Sequence, residues 1–362
     1  MGAPTEEERP ESVGRPVEID KINSARRARC LAYLANHGRP PVDYVVEKFK
    51  THDAVLLGET HEVRENCRFV SDLIEPLYRR AGVRVLAMEF VRSRNNSLVN
   101  KLITADVYDD KLAIRIFRDY GWPTWGFKEY IDILKAAWAL NSKLSPEQEK
   151  FQVVGLDSNW SQYDLMFKTR DQASRSRTFL LREKYMVSVF EQTVLEKGRK
   201  ALVHLGFEHS ITCHGQRFGT VLRKKYGKRV FQVCLHHQLG KKLMEFLELL
   251  FAQRDDRAVG FDVLDSPFAN LRDDTSPYSK FLKASVFSQF AEGYVFLKPV
   301  AGLQRITWVE GFIDASNFRQ ARAITVKLKW IKRRQCTTPQ ELDKRMKQMF
   351  EKREPAAAET RR

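Results

Sequence analysis

The chain has 362 residues, 43% of them hydrophobic and 11% aromatic, enough to bury a sizeable core, and its formal net charge is +16. No apolar run approaches the ~20 residues that a bilayer-crossing helix needs, so no segment is read as spanning a membrane. Residues 1–18 are polar and acidic where a secretory signal carries an apolar stretch, and the expected location is the cytoplasm. Cys30, Cys67, Cys213, Cys234 and Cys336 are scattered with no Cys-x-x-Cys pair, which points to reduced structural thiols.

In chain order, a polar leader (1–20), expected to be disordered, precedes helical spacing at 22–36 and 42–50, broken by Arg39-Pro40-Pro41. Residues 53–58 (DAVLLG) form a continuous apolar strand, and 66–81 carry Phe69, Val70, Leu73, Ile74, Leu77 and Tyr78 on one helical stripe. The alternation recurs: strand at 83–90 (VRVLAMEF), helices at 97–102, 112–117 and 127–140, strand at 151–157 (FQVVGLD), then a long helical region to about Gly198. Strands follow at 201–206 (ALVHLG) and 229–235 (RVFQVCL) around a helix at 218–226, with shorter β-like pieces at 259–263, 294–297 and 306–309. Strands that are apolar throughout, alternating with helices, predict an α/β chain with a mainly parallel sheet covered on both faces. One large domain (21–318) is expected, followed by a basic extension (319–362). That extension holds 14 Lys and Arg against 5 Asp and Glu, and 324–331 within it alternates like a half-buried edge strand. The terminal 355–362 is expected to be disordered, deletion of the extension to spare folding, and its charge to be available to anionic partners.

In this architecture ligands bind beyond the carboxyl ends of the strands. Every strand end here offers a titratable side chain: Glu59, His61 and Glu62 after the first, Glu89 after the second, Asp157, Ser158 and Asn159 after the third, Glu208 and His209 after the fourth, His236 and His237 after the fifth. An ionised Glu89 at the end of a buried strand costs several kcal/mol unless it is paired, so it calls for a cation, a proton or a metal. His204 lies inside an apolar strand and reads as core. His61 and His209 each follow a strand-ending glycine by three residues, a repeated Gly-x-x-His device in which the glycine permits a tight turn and close backbone approach. With Glu59 and Glu89 they suit general acid-base work or a Zn, Mn or Co ion.

The series VLLGETHEVREN, VLAMEF, VVGLDSN and ALVHLGFEHS resembles the ordered motifs shared by erythromycin esterase-like, ChaN-like and TIKI/TraB-like proteins, over roughly residues 53–235. Trp125-Gly126, Tyr130, Leu134 and Asn141 resemble a helix between the second and third motifs, and GFDV and EGYVFL the closing strands. Resemblance to the esterases implies that His61 activates water, supported by Glu89 and His209, although the extra Ala and following Gly of the esterase motif are missing here. The TIKI-like resemblance implies a divalent metal, with His61, His209 and Glu89 as ligands, and the ChaN-like one implies haem.

There is no Gly-x-Ser-x-Gly elbow, Walker loop, dinucleotide fingerprint or His-Glu-x-x-His; in His61-Glu62-Val63-Arg64-Glu65 a Glu stands where the second His belongs. The expectation is therefore a hydrolase of a small-molecule or peptide ester or amide. His61 is the general base, Glu59 orients it, Glu89 and His209 complete the pocket, and Arg64, Asp157 and Asn159 hold ligand. The four central residues are expected to face one pocket. The alternative is a non-catalytic haem or small-molecule binding protein.

Overall fold

The computed structural model describes residues 16–120, 125–158, 172–213, 215–237, 239–276 and 286–352. The chain is α/β, its sheet mostly parallel and surrounded by helices. In chain order the strands are β1 (Val17–Glu18), β2 (Ala54–Glu59), β3 (Val85–Arg92), β4 (Gln152–Asp157), β5 (Ala201–Gly206), β6 (Val230–Leu235), β7 (Val259–Asp262), β8 (Leu271–Arg272) and β9 (Gly293–Phe296). Two compact units emerge. Among the described residues, one takes those up to Thr60 with Gly206–Leu303, and the other takes His61–Leu205 with those from Gln304 to Lys352.

In the first unit β2, β6 and β9 run parallel, with β7 antiparallel on β9. The β2–β6 register runs from Ala54↔Val230 to Gly58↔Cys234, and every residue of both strands is buried. Burial on both faces explains why these strands read as unbroken apolar runs. Asn23 starts helix Ser24–His37 by accepting from the Arg26 amide, and Pro41 opens helix Pro41–Lys48 at a position that needs no amide hydrogen. Leu34, Leu243, Leu247, Phe251, Phe261 and Tyr294 belong to one core cluster.

In the second unit β3 lies between β4 and β5, all parallel, with Val85 opposite Gln152 on one side and Ala201 on the other. Helix Arg64–Ala81 buries Phe69, Val70, Leu73, Ile74 and Leu77, and ends where Gly82 takes the left-handed φ of 66°. Its first residue and that of helix Lys128–Asn141 lack side-chain caps; instead their amides donate to the carbonyls of Gln304 and Thr307, each at 2.8 Å.

Several expectations are corrected. Residues 306–309 form no strand: the segment 304–309 makes only the isolated bridges Val63↔Arg305 and Phe127↔Trp308, and spends carbonyls of Gln304 and Thr307 on helix starts. Residues 324–331 are no edge strand: helix Phe318–Lys327 buries Ala321, Ile324 and Thr325 at helical spacing. The basic stretch is a packed part of the second unit. Helix Pro339–Lys352 buries Leu342, Met346 and Phe350, and Phe350 stacks on Trp308 with centroids 5.6 Å apart. Buried Asp343 accepts from Trp308 Nε1 and from the amides of Gly311 and Ile313. Val17–Glu18, placed in the leader, pairs with Leu271–Arg272 as β1 on β8. The rest of the leader before residue 16, and residues 355–362, lie outside the described residues. No helix among the described residues is long and apolar enough to cross a membrane.

Candidate functional site

At the carboxyl end of β3 the register against β4 shifts between Met88 and Arg92, a bulge that re-aims the intervening side chains. Gly155 permits it, since a Cβ there would meet the Val91 carbonyl oxygen at 2.5 Å. Beyond the bulge, Glu89 and Asp157 are joined by the Arg182 guanidinium from helix Gln172–Thr193. Nε donates to Asp157 Oδ1 at 2.6 Å and a terminal nitrogen to Glu89 Oε1 at 2.9 Å. All three side chains are over 90% buried. Burial opposes the charge on Arg182, but Asp157 and Glu89 outweigh it and hold the guanidinium well above its ordinary pKa. Nearby Tyr120 is fully buried, and burial followed by the Asp157 charge lifts its phenol well above its usual range. The cation that Glu89 requires is therefore Arg182.

After β2 the chain turns at His61-Glu62-Val63, and Glu62 takes φ 67°, a conformation unfavourable for a residue with a Cβ. His61 is part-exposed. Its ring stands edge-on to Phe90 and Trp125, both at 5.4 Å, and those two rings stack on each other at 5.5 Å. Tyr120 and Tyr130 pack around Trp125, and His204, a core residue as expected, stacks on Tyr130. Arg64 is committed elsewhere: it pairs with Glu129 at 3.1 Å and donates to Gln304 Oε1 and Thr307 Oγ1. Its partners make it a brace of the segment after Gln304.

In the first unit, Glu59 is buried at the end of β2, and His209 is buried in the short helix Phe207–Ser210. Gly58 allows that helix to sit against β2, because a Cβ would meet Ser210 Oγ at 2.3 Å. Gly58 therefore serves close approach. Gly206 has an ordinary φ of −59°, and the left-handed φ in this region belongs to Glu62. His236 and His237 follow β6. His236 lies between Tyr294 Oη (2.7 Å, Nδ1) and Glu248 (3.0 Å, Nε2), and burial lowers its pKa despite Glu248. His237 Nδ1 donates to the Leu235 carbonyl at 2.7 Å, and burial pushes its pKa down to about 4.

Of the predicted residues, Glu89 and Asp157 are brought together, bridged by Arg182. His61 and Glu89 belong to the second unit, Glu59 and His209 to the first. Asn159 lies outside the described residues. Among the described residues no group of three or more His, Cys, Asp or Glu side chains is placed to hold a metal ion, and Glu89 Oε1 accepts from Arg182. Sequence reasoning missed Arg182, whose signal was the need of Glu89 for a cation.

Residues 45–156 match the model of a family described as haem-binding uptake, Tiki superfamily, ChaN. The superfamily resemblance read from the motifs is thereby borne out. Among curated proteins nothing matches the chain. One solved structure shows the likeness of fold. A succinoglycan biosynthesis protein is 11% identical, with TM-score 0.52, covering 76% of this chain and 98% of that one. An erythromycin esterase mutant in its open conformation is 12% identical, with TM-score 0.48 and coverage of 70% and 92%. ChaN of Campylobacter jejuni with cofacial haem is 13% identical, with TM-score 0.40 and coverage of 55% and 88%.

Proposed function

We propose that the chain is a hydrolase of an ester or amide in which His61 is the general base. The supporting observation is a part-exposed imidazole on a stacked aromatic wall, carried by a turn whose next residue is held in a left-handed conformation. Such strained turns cluster at functional sites. In this reading His61 takes a proton from water as the water oxygen bonds to the substrate carbonyl carbon, then returns that proton to the leaving alkoxide or amine. Arg182 bridges Glu89 and Asp157 and so fixes the ends of β3 and β4 relative to each other. Glu59 and His209 are assigned to the same reaction on their motifs alone. The substrate is a small molecule or peptide, the place of work the cytoplasm, and the basic stretch from Arg319 meets an anionic partner. Screening the purified protein against a panel of chromogenic esters and amides tests the reading; hydrolysis of at least one is expected, and none at all contradicts it.

A second reading, haem binding, is favoured by the description of the family matched over residues 45–156. His61, part-exposed, is the imidazole of the second unit suited to an iron. Bound haem would supply iron-centred ligand or electron chemistry. Titration with haem is expected to give an absorbance band near roughly 400 nm that is lost in His61→Ala. No band at equimolar haem removes this reading.

A further inference from the structure

The residue after His61 is tied down at every polar group. The Glu62 amide donates to Tyr130 Oη at 3.2 Å, its carbonyl accepts from the Ile306 amide at 3.3 Å, and its carboxylate is paired with Arg305. Arg305 also faces Val63 in a backbone bridge, and its guanidinium lies over the Phe350 ring at 5.7 Å. Its side chain is 9% exposed. The strained φ of Glu62 is therefore held from a segment more than 240 residues further along the chain, itself packed under helix Pro339–Lys352.

We propose that Arg305 is a positioning residue for His61: through Glu62 it keeps the turn left-handed and so fixes where the imidazole stands on the Phe90 and Trp125 rings. The proposal rests on the reading of His61 as the base, and its physical logic is separable from it. A glycine at 62 adopts that φ without help, so the need for Arg305 is specific to a side chain at that position. The two substitutions are accordingly non-additive.

The test uses the full chain and two readouts: the ring resonances of His61, assigned by their loss in His61→Ala, and the rate of its carbethoxylation by diethylpyrocarbonate. Arg305→Gln is expected to displace the His61 resonances, change the carbethoxylation rate at least threefold and lower kcat tenfold or more on an ester the protein hydrolyses, with KM within twofold. Arg305→Gln combined with Glu62→Gly is expected to return both His61 readouts to those of Glu62→Gly alone. Should Arg305→Gln fail to fold, Glu62→Gln removes the same ion pair with little change of shape, and the same displacement is expected. Unmoved His61 readouts in a folded Arg305→Gln protein, or equal displacement with glycine at 62, overturn the proposal. Displaced resonances with unchanged turnover leave the positioning intact and contradict the role of His61 instead.

Discussion

Two sets of strand ends bury ionisable groups, and they solve the problem in opposite ways. At β3 and β4 the chain seals away Glu89 and Asp157 and buries the Arg182 cation between them. At β6 it seals away His236 and His237 and keeps them neutral, with burial holding both below their ordinary pKa. The histidines manage this with hydrogen-bond partners and, among the described residues, no buried cation. Tyr294 Oη serves His236 Nδ1 and receives the His237 amide, Glu248 takes the other nitrogen of His236, and the Leu235 carbonyl fixes the tautomer of His237. A buried carboxylate needs a cation or a proton, and here Glu89 and Asp157 share the Arg182 cation. Each set thus draws one partner from a helix, a cation from helix Gln172–Thr193 for the carboxylates and Glu248 of helix Lys241–Ala252 for His236.

The largest expected effect comes from cutting the chain after Ile331. Loss of helix Pro339–Lys352 uncovers Trp308 and Phe127 and strips Asp343 from three donors. Burial of Leu342, Met346 and Phe350 at ~2 kcal/mol each, with the orphaned donors, amounts to about 6 kcal/mol or more, comparable with a whole domain's stability. Near-ultraviolet circular dichroism should show the second unit unfolded, and a native spectrum would refute the packing described.

Next is Arg182→Met, which leaves Glu89 and Asp157 buried together without their cation. A loss of about 3–5 kcal/mol in urea denaturation is expected. A loss under ~1 kcal/mol would show that the two carboxylates are not dependent on it.

The imidazole set predicts a pH effect of known sign. The His237 pKa is depressed in the folded state, so its unfolded form takes a proton first as pH falls. The stability it contributes is present above about 6.5 and is lost as pH drops toward about 4, by roughly 3 kcal/mol. His236 adds in the same direction. His237→Asn, which can still donate to Leu235, should remove most of this slope between pH 6.5 and 4.5 relative to the parent protein. An unchanged slope would place the protonation elsewhere.

Most of the fold was legible because strands buried on both faces advertise themselves as unbroken apolar runs. The ends of the chain were misread for a definable reason. From Arg319 the charge excess masks an apolar row at Leu342, Met346 and Phe350, spaced by four, and the alternation of Val326, Leu328 and Trp330 masks the helical spacing of Ala321, Ile324 and Thr325. At the site, the need of Glu89 for a cation followed from the sequence, but Arg182, 93 residues away on a helix, carries no local pattern that marks it as the partner. Glu62 is similar: its left-handed φ depends on Tyr130, Arg305 and Ile306, which no window of sequence brings together.

The central claim is that His61 is the working base, and the most direct measurement is the steady-state turnover of His61→Ala on an ester that the parent protein hydrolyses. The account predicts a fall in kcat of about 10²–10⁴-fold with an unaltered far-ultraviolet circular dichroism spectrum, the range usual for removal of a general base. Turnover equal to that of the parent protein would contradict it.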